Sequence, residues 1–501
     1  MKNKTGVCRA LLLVGMGLMI PCYLFTAGNT LLSPWPLYDR NRLALCLLTP
    51  LCLLLLLLLG RAAKAKVFET HERAVLLGFA AFYFVIQLVM ASALRFTPVT
   101  DLEQCVTAAR RLAQTGAFGN SERSLIYFGR YPHNMGLVYL LAGIFKAADA
   151  LGVDELMAAA LVCGLLFSMG LLCGARLCRR LGGAQAQARA LLLFATCLPF
   201  LYCTSELYTD AFSVAFAPMI VFAFLKARDA GSRKERALWA LLFAVCTFFG
   251  AQIRFPTIIA AIACLIAALF EKRAKLTALL AAPLALVFAV GGSAVNAANE
   301  VHLGAANIAQ NKLPKLHYIA MGLPVQSDEG YGQYGYGGWL IFSTSFDDPQ
   351  ARDEALRQEV VDRAYTLAHH PAQLLSTLSR KNLSTFGRGT FNLNEIFEAD
   401  AHEADNAVKQ VVFENGRFNR AYTHLATAMF VAQMALACIA CIQAIRRRDT
   451  RAAPLFLTLL GAFLFLSIWE TRARYFFQFM MILLCAGAMF ETPSTHAAQK
   501  A

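Results

Sequence analysis

Long apolar runs broken by short polar loops set the pattern of this chain. Uninterrupted apolar stretches of about 18 residues or more read as membrane-spanning helices. By that pattern, spans fall at 8–28, 41–60, 74–94, 155–177, 187–206, 211–227, 235–251, 256–271, 275–296, 421–445, 453–469 and 475–491. The expected fold is an all-α polytopic membrane protein with about twelve transmembrane helices. Two polar stretches interrupt the series, at 95–154 and 297–420. The chain therefore divides into an N-terminal helical hairpin (1–73), a transmembrane module (74–296) containing the loop 95–154, a mixed loop segment (297–420), and C-terminal helices with a tail (421–501). The first apolar run follows Lys2, Lys4 and Arg9 like a signal peptide, but it is long and a second span follows at once, so it reads as an uncleaved helix.

Charge assigns the sides. The 501 residues are 58% hydrophobic and only 16% charged, which excludes a soluble core as the use of these runs. The net charge of +14 is spread over short loops between spans and carries no nucleic-acid motif. Basic clusters at Arg61/Lys64/Lys66/Arg73, Arg176/Arg179/Arg180/Arg189, Lys226/Arg228/Arg233/Lys234/Arg236, Lys272/Arg273/Lys275 and Arg446/Arg447/Arg448/Arg451 mark the cytoplasmic side. This assignment requires the apolar run from Met135 to Ile144 to lie on the membrane as an interfacial helix and not to cross it. The 15 cysteines sit mostly inside apolar spans and the 297–420 segment has none, so neither a disulfide framework nor a zinc site is expected. No metal is assigned.

The outer face then gathers a distinct set of polar residues. Asp101 lies just past the span 74–94, where a carboxylate at the membrane surface is costly unless used. Thr100-Asp101-Leu102-Glu103 also fits a capping box, with Asp101 favouring the positive end of a helix dipole. Glu206-Leu207-Tyr208-Thr209-Asp210 forms a brief turn between spans, readable as a helix cap or as a second outward acid site. Arg254 and Arg474 sit at outer span ends against the charge trend. They snorkel to lipid phosphates or bind the phosphate of a lipid substrate, for which a guanidinium fork is suited. The Gly330–Trp339 stretch reads as a flexible aromatic loop, suited to sugar stacking or a lid, or simply to packing. His369-His370 point in different directions on a helix and make a poor metal pair, and Asn382-Leu383-Ser384 matches a sequon by pattern alone.

In order along the chain, Asp101, then Tyr131-Pro132-His133-Asn134-Met135-Gly136, then Tyr208-Thr209-Asp210, then Glu470-Thr471-Arg472-Ala473-Arg474-Tyr475 resemble the C-type membrane glycosyltransferases. The likeness is to the protein-mannosyltransferase and aminoarabinose-transferase branch (glycosyltransferase family 39). It spans residues from about 74 to 490, and this chain adds an N-terminal hairpin and lacks the paired acids of eukaryotic members. The resemblance implies a GT-C fold and a glycosyltransferase in the plasma (inner) membrane. It would move a sugar from a polyprenyl-phosphate donor to a protein, polymer or lipid acceptor on the extracytoplasmic side. Asp101 would be the general base. Asp210, Glu206, Tyr208, Tyr131, His133 and Asn134 would bind donor or acceptor, with Asp210 or Glu206 as a replacement base. Arg474, Arg254, Lys381 and Arg472 would hold the lipid phosphate, and no cofactor is expected. The rival readings are a cell-envelope polysaccharide polymerase or ligase, using Arg and His of the late loop, and a transporter or flippase of lipid-linked substrates.

Overall fold

The computed structural model describes residues 2–35, 37, 41–63, 65–95, 97–119, 121–326, 329–393 and 405–491. Lys64 of the first basic cluster and part of the 297–420 segment lie outside the described residues. The described chain is helical, with no strand. Helices α1 (Lys2–Leu32), α2 (Arg42–Ala62) and α3 (Ala65–Ala93) are followed by α4 (Thr100–Thr115), α5 (Glu122–Arg130) and α6 (Met135–Leu151) of the first polar loop. Next come α7 (Glu155–Thr196), α8 (Thr209–Ser213), α9 (Phe216–Asp229), α10 (Arg233–Ile253), α11 (Ile258–Phe270) and α12 (Ala274–Leu303). The second polar segment folds as α13 (Ala305–Asn311), α14 (Lys315–Gly322), α15 (Trp339–Thr344), α16 (Pro349–His369), α17 (Pro371–Phe386) and α18 (Lys409–Val412). Helices α19 (Asn419–Arg446), α20 (Ala453–Ile468) and α21 (Met480–Ala488) complete the membrane part.

Among the described residues, nine helices are long and apolar enough to cross a membrane, and three shorter apolar helices accompany them. Two of the nine are not simple crossings. Helix α7 turns back on itself at Gly182 and Gly183, the latter at φ 74°, ψ −170°, a conformation that only glycine adopts without strain. Beyond that turn the two arms run side by side. Phe167 meets Phe200 at 5.1 Å between ring centroids, and Arg179 donates to Gln187 at 3.1 Å. Each arm of α7 is therefore one crossing, as the spans 155–177 and 187–206 require, although regular helix ends at Thr196 and short 3-10 turns carry the chain on to Glu206.

Helix α6 is the other exception. Its 17 residues reach about 25 Å at 1.5 Å per residue, short of a hydrocarbon core of ~30 Å. Its two ends also reach the same face. At its start Gly136 lies so close to the Gln252 carbonyl, at the end of α10, that a Cβ there would be 2.3 Å from the oxygen. At its end, Asp154 caps α7 and pairs at 2.6 Å with Arg95, just beyond α3. With α6 laid on the surface and α7 counted twice, the crossings match the twelve expected spans.

The basic loops gather at the opposite face. Glu72 pairs with Arg179, Arg180 with Asp229, and Arg228 with Glu271, joining the ends of α3, α7, α9 and α11. Arg189 reaches the Gly60 and Phe490 carbonyls, and Arg9 reaches the Arg448 carbonyl, adding α2, α21, α1 and α19 to the same side. The N-terminal hairpin packs on the last helices: α1 lies against α19, α20 and α17, and α2 against α19. Their buried faces join one apolar core with α7, α9 and α21.

An impermeant maleimide checks the path of α6. In a Cys46→Ser background, Gln114→Cys before α6 and Leu151→Cys at its end, both exposed, are expected to label from the same side of oriented membrane vesicles. Labelling from opposite sides would make α6 a crossing.

Candidate functional site

The residues singled out from sequence converge on one face, at the ends of α3, α7, α10 and α20. Asp101 is the second residue of α4, and the backbone before it is held in an uncommon shape. Thr100 has φ 53°, in the left-handed region that β-branched residues avoid. The capping box expected here does not form: Val99 is the N-cap residue and no side chain caps the helix. The Asp101 carboxylate is thereby left to other partners. Tyr127 of α5 donates to Oδ1 at 2.8 Å, and Tyr208 donates to Oδ2 at 3.5 Å. Asn134 donates to the Tyr127 oxygen at 2.9 Å, so its amide backs Tyr127. Asp101 makes no ion pair among the described residues.

Asp210 differs in just this respect. It is fully buried at the start of α8, 3.0 Å from Arg254 Nε and 3.4 Å from Arg474 Nε. Arg254 also donates to Thr209 Oγ1 at 2.7 Å and lies 4.4 Å from the Tyr475 ring centroid. The Arg474 guanidinium is 5.6 Å from the centre of Tyr208, whose hydroxyl contacts Asp101. Asp101 and Arg474, 373 positions apart, thus share one neighbour.

Burial decides the charge of the remaining groups. Glu206, one helical turn before Asp210, is buried; desolvation and then the Asp210 charge push its carboxyl well above the ordinary range, against the pull of Arg474 and Arg254. Glu470 is raised by burial too, although it accepts a hydrogen bond from Tyr475 and faces Arg472. Two guanidiniums thus converge on one buried carboxylate, with Glu206 and Glu470 beside them. Phenols Tyr127 and Tyr208 are pushed upward by burial, with Asp101 adding to the effect, and so stay protonated as donors.

Lys381 departs from the role expected of it. Its ammonium is buried and donates to the carbonyls of Gly322 and Trp469, the latter at 2.9 Å. Desolvation lowers its pKa to about 7 despite Glu470 nearby. Both of the acceptors it reaches are backbone carbonyls, from residues 322 and 469. Lys381 is thus a tether between α14, α17 and the turn after α20, and not an open cation. Asn382 of the sequon is buried and donates to Thr26 Oγ1 at 2.8 Å, which removes it as a glycan acceptor.

The second polar segment closes over one side of the site. The glycine-rich loop is pinned: Thr471 binds the Gly332 carbonyl through its N–H and the Tyr331 carbonyl through its hydroxyl, both at 2.8 Å. Arg472 reaches the Tyr334 carbonyl at 3.4 Å, and the hydroxyls of Tyr334 and Tyr131 meet at 2.9 Å. His133 packs edge-on against Tyr131 and Tyr318, and Tyr318 stacks on Trp469 at 5.1 Å. His369 lies apart, at the exposed end of α16, with its ring on Tyr365. Sequence reasoning missed Tyr127 as the partner of Asp101, and Tyr318 and Tyr334 as walls. The signal available for Tyr127 was its place on the amphipathic α5, seven residues before Asn134.

Comparisons with known proteins add little beyond this geometry. The family described as "Conserved hypothetical integral membrane protein" matches residues 371–495, which include Glu470 and Arg474. A crystal structure of ArnT from Cupriavidus metallidurans, bound to undecaprenyl phosphate, is similar at 12% identity. That likeness covers 83% of this chain and 78% of that chain, with a TM-score of 0.36. A search of curated proteins finds no match.

Two stability measurements follow. Asp210→Asn leaves two largely buried guanidiniums without this carboxylate and is expected to cost about 3–5 kcal/mol, read as a lowered melting temperature in detergent. Lys381 is charged in the unfolded chain up to its usual value of 10.5 but in the fold only below about 7. The unfolded state therefore binds the extra proton in this window, and stability rises as pH climbs from 7 toward 10.5. Lys381→Met is expected to be less stable at pH 9 and to lose most of that rise, seen by comparing melting curves of both proteins at pH 7 and pH 9.

Proposed function

We propose that this protein is an integral-membrane glycosyltransferase using a polyprenyl-phosphate-linked sugar, with its site at the extracytoplasmic face of the plasma (inner) membrane. The observation that carries this reading is a carboxylate with no ion pair among the described residues, Asp101, joined through Tyr208 to the Arg254–Asp210–Arg474 cluster. A base and a cationic corner side by side are what displacement of a lipid phosphate by a hydroxyl needs. Asp101 takes the proton of the acceptor hydroxyl as its oxygen bonds the anomeric carbon. The bond from that carbon to the lipid phosphate breaks, and the guanidiniums stabilise the negative charge that gathers on the leaving oxygen. A single displacement of this kind inverts the anomeric centre.

The geometry also ranks the three acids. Asp210 is fully buried against two arginines, and Glu206 is buried with its carboxyl pushed up by desolvation and by Asp210, so this reading gives the proton-accepting role to neither. Asp101 is held only by phenols and stays the base of this reading. Arg254 and Arg474 hold the phosphate, while Arg472 and Lys381 shape the wall through carbonyl contacts. An apolar cavity of about 260 Å³ between α1, α17 and α20, lined by Cys22, Leu378, Phe463 and Leu466, offers hydrocarbon surface at the level of Lys381. The ligase reading needs a histidine of the late loop, and His369 faces solvent away from these arginines.

The test uses membranes holding the full chain and a labelled polyprenyl-phosphate sugar. Asp101→Asn is expected to lower transfer about 10²–10⁴-fold at unchanged protein level; transfer near the wild-type rate would remove Asp101 as base. Arg474→Lys keeps the charge and loses the planar fork. It is expected to raise the donor KM roughly tenfold, and an unchanged KM would take Arg474 out of the phosphate site.

A further inference from the structure

The two oxygens of Asp101 are held unequally. Oδ1 accepts from Tyr127 at 2.8 Å, an ordinary hydrogen bond, whereas Oδ2 is 3.5 Å from the Tyr208 hydroxyl, at the limit of one. Tyr127 is fixed in turn. Asn134, buried at the start of α6, donates to the phenol oxygen at 2.9 Å. The Tyr127 ring packs edge-on against Phe128 at 4.9 Å and lies 5.1 Å from Tyr131. Asn134, Tyr127 and Asp101 form a directed chain in which the amide spends a hydrogen on the phenol and the phenol spends its own on the carboxylate. Tyr208 has no such backing, and its ring faces a guanidinium that a phosphate would recruit.

We propose that Tyr127 is the positioning residue of Asp101: oriented by Asn134, it pins Oδ1 so that Oδ2 is the oxygen that takes the acceptor's proton. This rests on the reading of Asp101 as base. In the step, the acceptor hydroxyl displaces Tyr208 from Oδ2 and gives it the proton while its oxygen bonds the anomeric carbon. The carbon–oxygen bond to the lipid phosphate breaks with its electron pair on the phosphate. Tyr127 keeps its hydrogen throughout, and its burial holds it in the protonated form.

The charged and titratable groups facing Asp101 are Tyr127, Tyr131 and His133 from the first loop, Cys105 one turn along α4, and Tyr208 with Arg474 behind it. Among the described residues only Tyr127 gives the carboxylate a short hydrogen bond. A donor of this kind favours the charged form, and losing one bond to a charged group is worth about one pH unit.

The experiment compares the wild type with Tyr127→Phe, Asn134→Ala, Asp101→Asn and, as a control, Tyr139→Phe, whose hydroxyl binds Asn299 on the far side of α6. The full-length protein in detergent is treated with a water-soluble carbodiimide and glycine ethyl ester from pH 4 to 8. Coupling at Asp101, which needs the protonated carboxyl, is read by peptide mass spectrometry. The half-coupling pH is expected to rise by about one unit in Tyr127→Phe, by less in Asn134→Ala, and not at all in Tyr139→Phe. The acid limb of the transfer rate should move with it, and kcat should fall about tenfold with the donor KM unchanged. An unmoved half-coupling pH in Tyr127→Phe overturns the proposal while Asp101→Asn stays inactive. Full transfer by Asp101→Asn instead overturns the reading of Asp101 as base.

Discussion

The arrangement depends on Asp210 lying between Arg254 and Arg474. A carboxylate taken wholly out of water costs several kcal/mol, and each guanidinium returns on the order of 4 kcal/mol at close range under an effective dielectric near 20. Such a triad comes close to balancing and is a weak source of stability. Its consequence is geometric. It locks the start of α8, the end of α10 and the 3-10 turn before α21 onto one point, though they lie at positions 210, 254 and 474. Glu206 and Tyr208 flank that point in sequence, and Tyr208 carries the link to Asp101. If the triad were loosened, the two halves of the site would have no fixed relation.

Backbone strain appears at the same two places. Thr100 and Leu207 hold positive φ values of 53° and 49° without being glycine, and each directly precedes a residue of the Asp101–Tyr208 contact. Conformations of this kind cost about 1–3 kcal/mol apiece and last only where the surroundings over-determine them. Here those surroundings are the buried triad on one side and the packing of α4 on α6 on the other. Thr100 is exposed, so no buried contact of its own side chain explains its backbone. The strained turn aims Asp101 away from its helix end and toward the phenols, which is why the expected capping box gives way.

Much of this was legible in the sequence because hydrophobic length and charge sidedness are one-dimensional signals. The twelve crossings, the turn of α7 near the arginines, and the surface course of α6 all follow from run length and basic clusters. The common face of Asp101, Asp210, Arg254 and Arg474 follows from counting crossings. What stayed hidden was pairing. Lys381 reads as a cation near a span end, yet two carbonyls from residues 322 and 469 take its hydrogens. Asn382 reads as a sequon, yet α1 covers it. Tyr127 looks like one aromatic among several, and its contact depends on α5, packed on α13, bringing the phenol to the start of α4. Periodicity says which face of a helix is buried and nothing of which distant group meets it.

The contrast between the two aspartates then follows from what burial permits. Asp210 is fully buried, and a carboxylate out of solvent is tolerated beside guanidiniums such as Arg254 and Arg474. Asp101 keeps part of its surface open and needs no ion pair, so neutral donors suffice to orient it. Tyr208 stands between Asp101 and Arg474, its hydroxyl 3.5 Å from the acid and its ring centre 5.6 Å from the guanidinium. A direct pair would match both charges. A phenol is a sufficient spacer because it donates to the acid through its hydroxyl while its ring tolerates the cation. A neutral aromatic side chain stands between the acid and the guanidinium, where a direct pair would otherwise form.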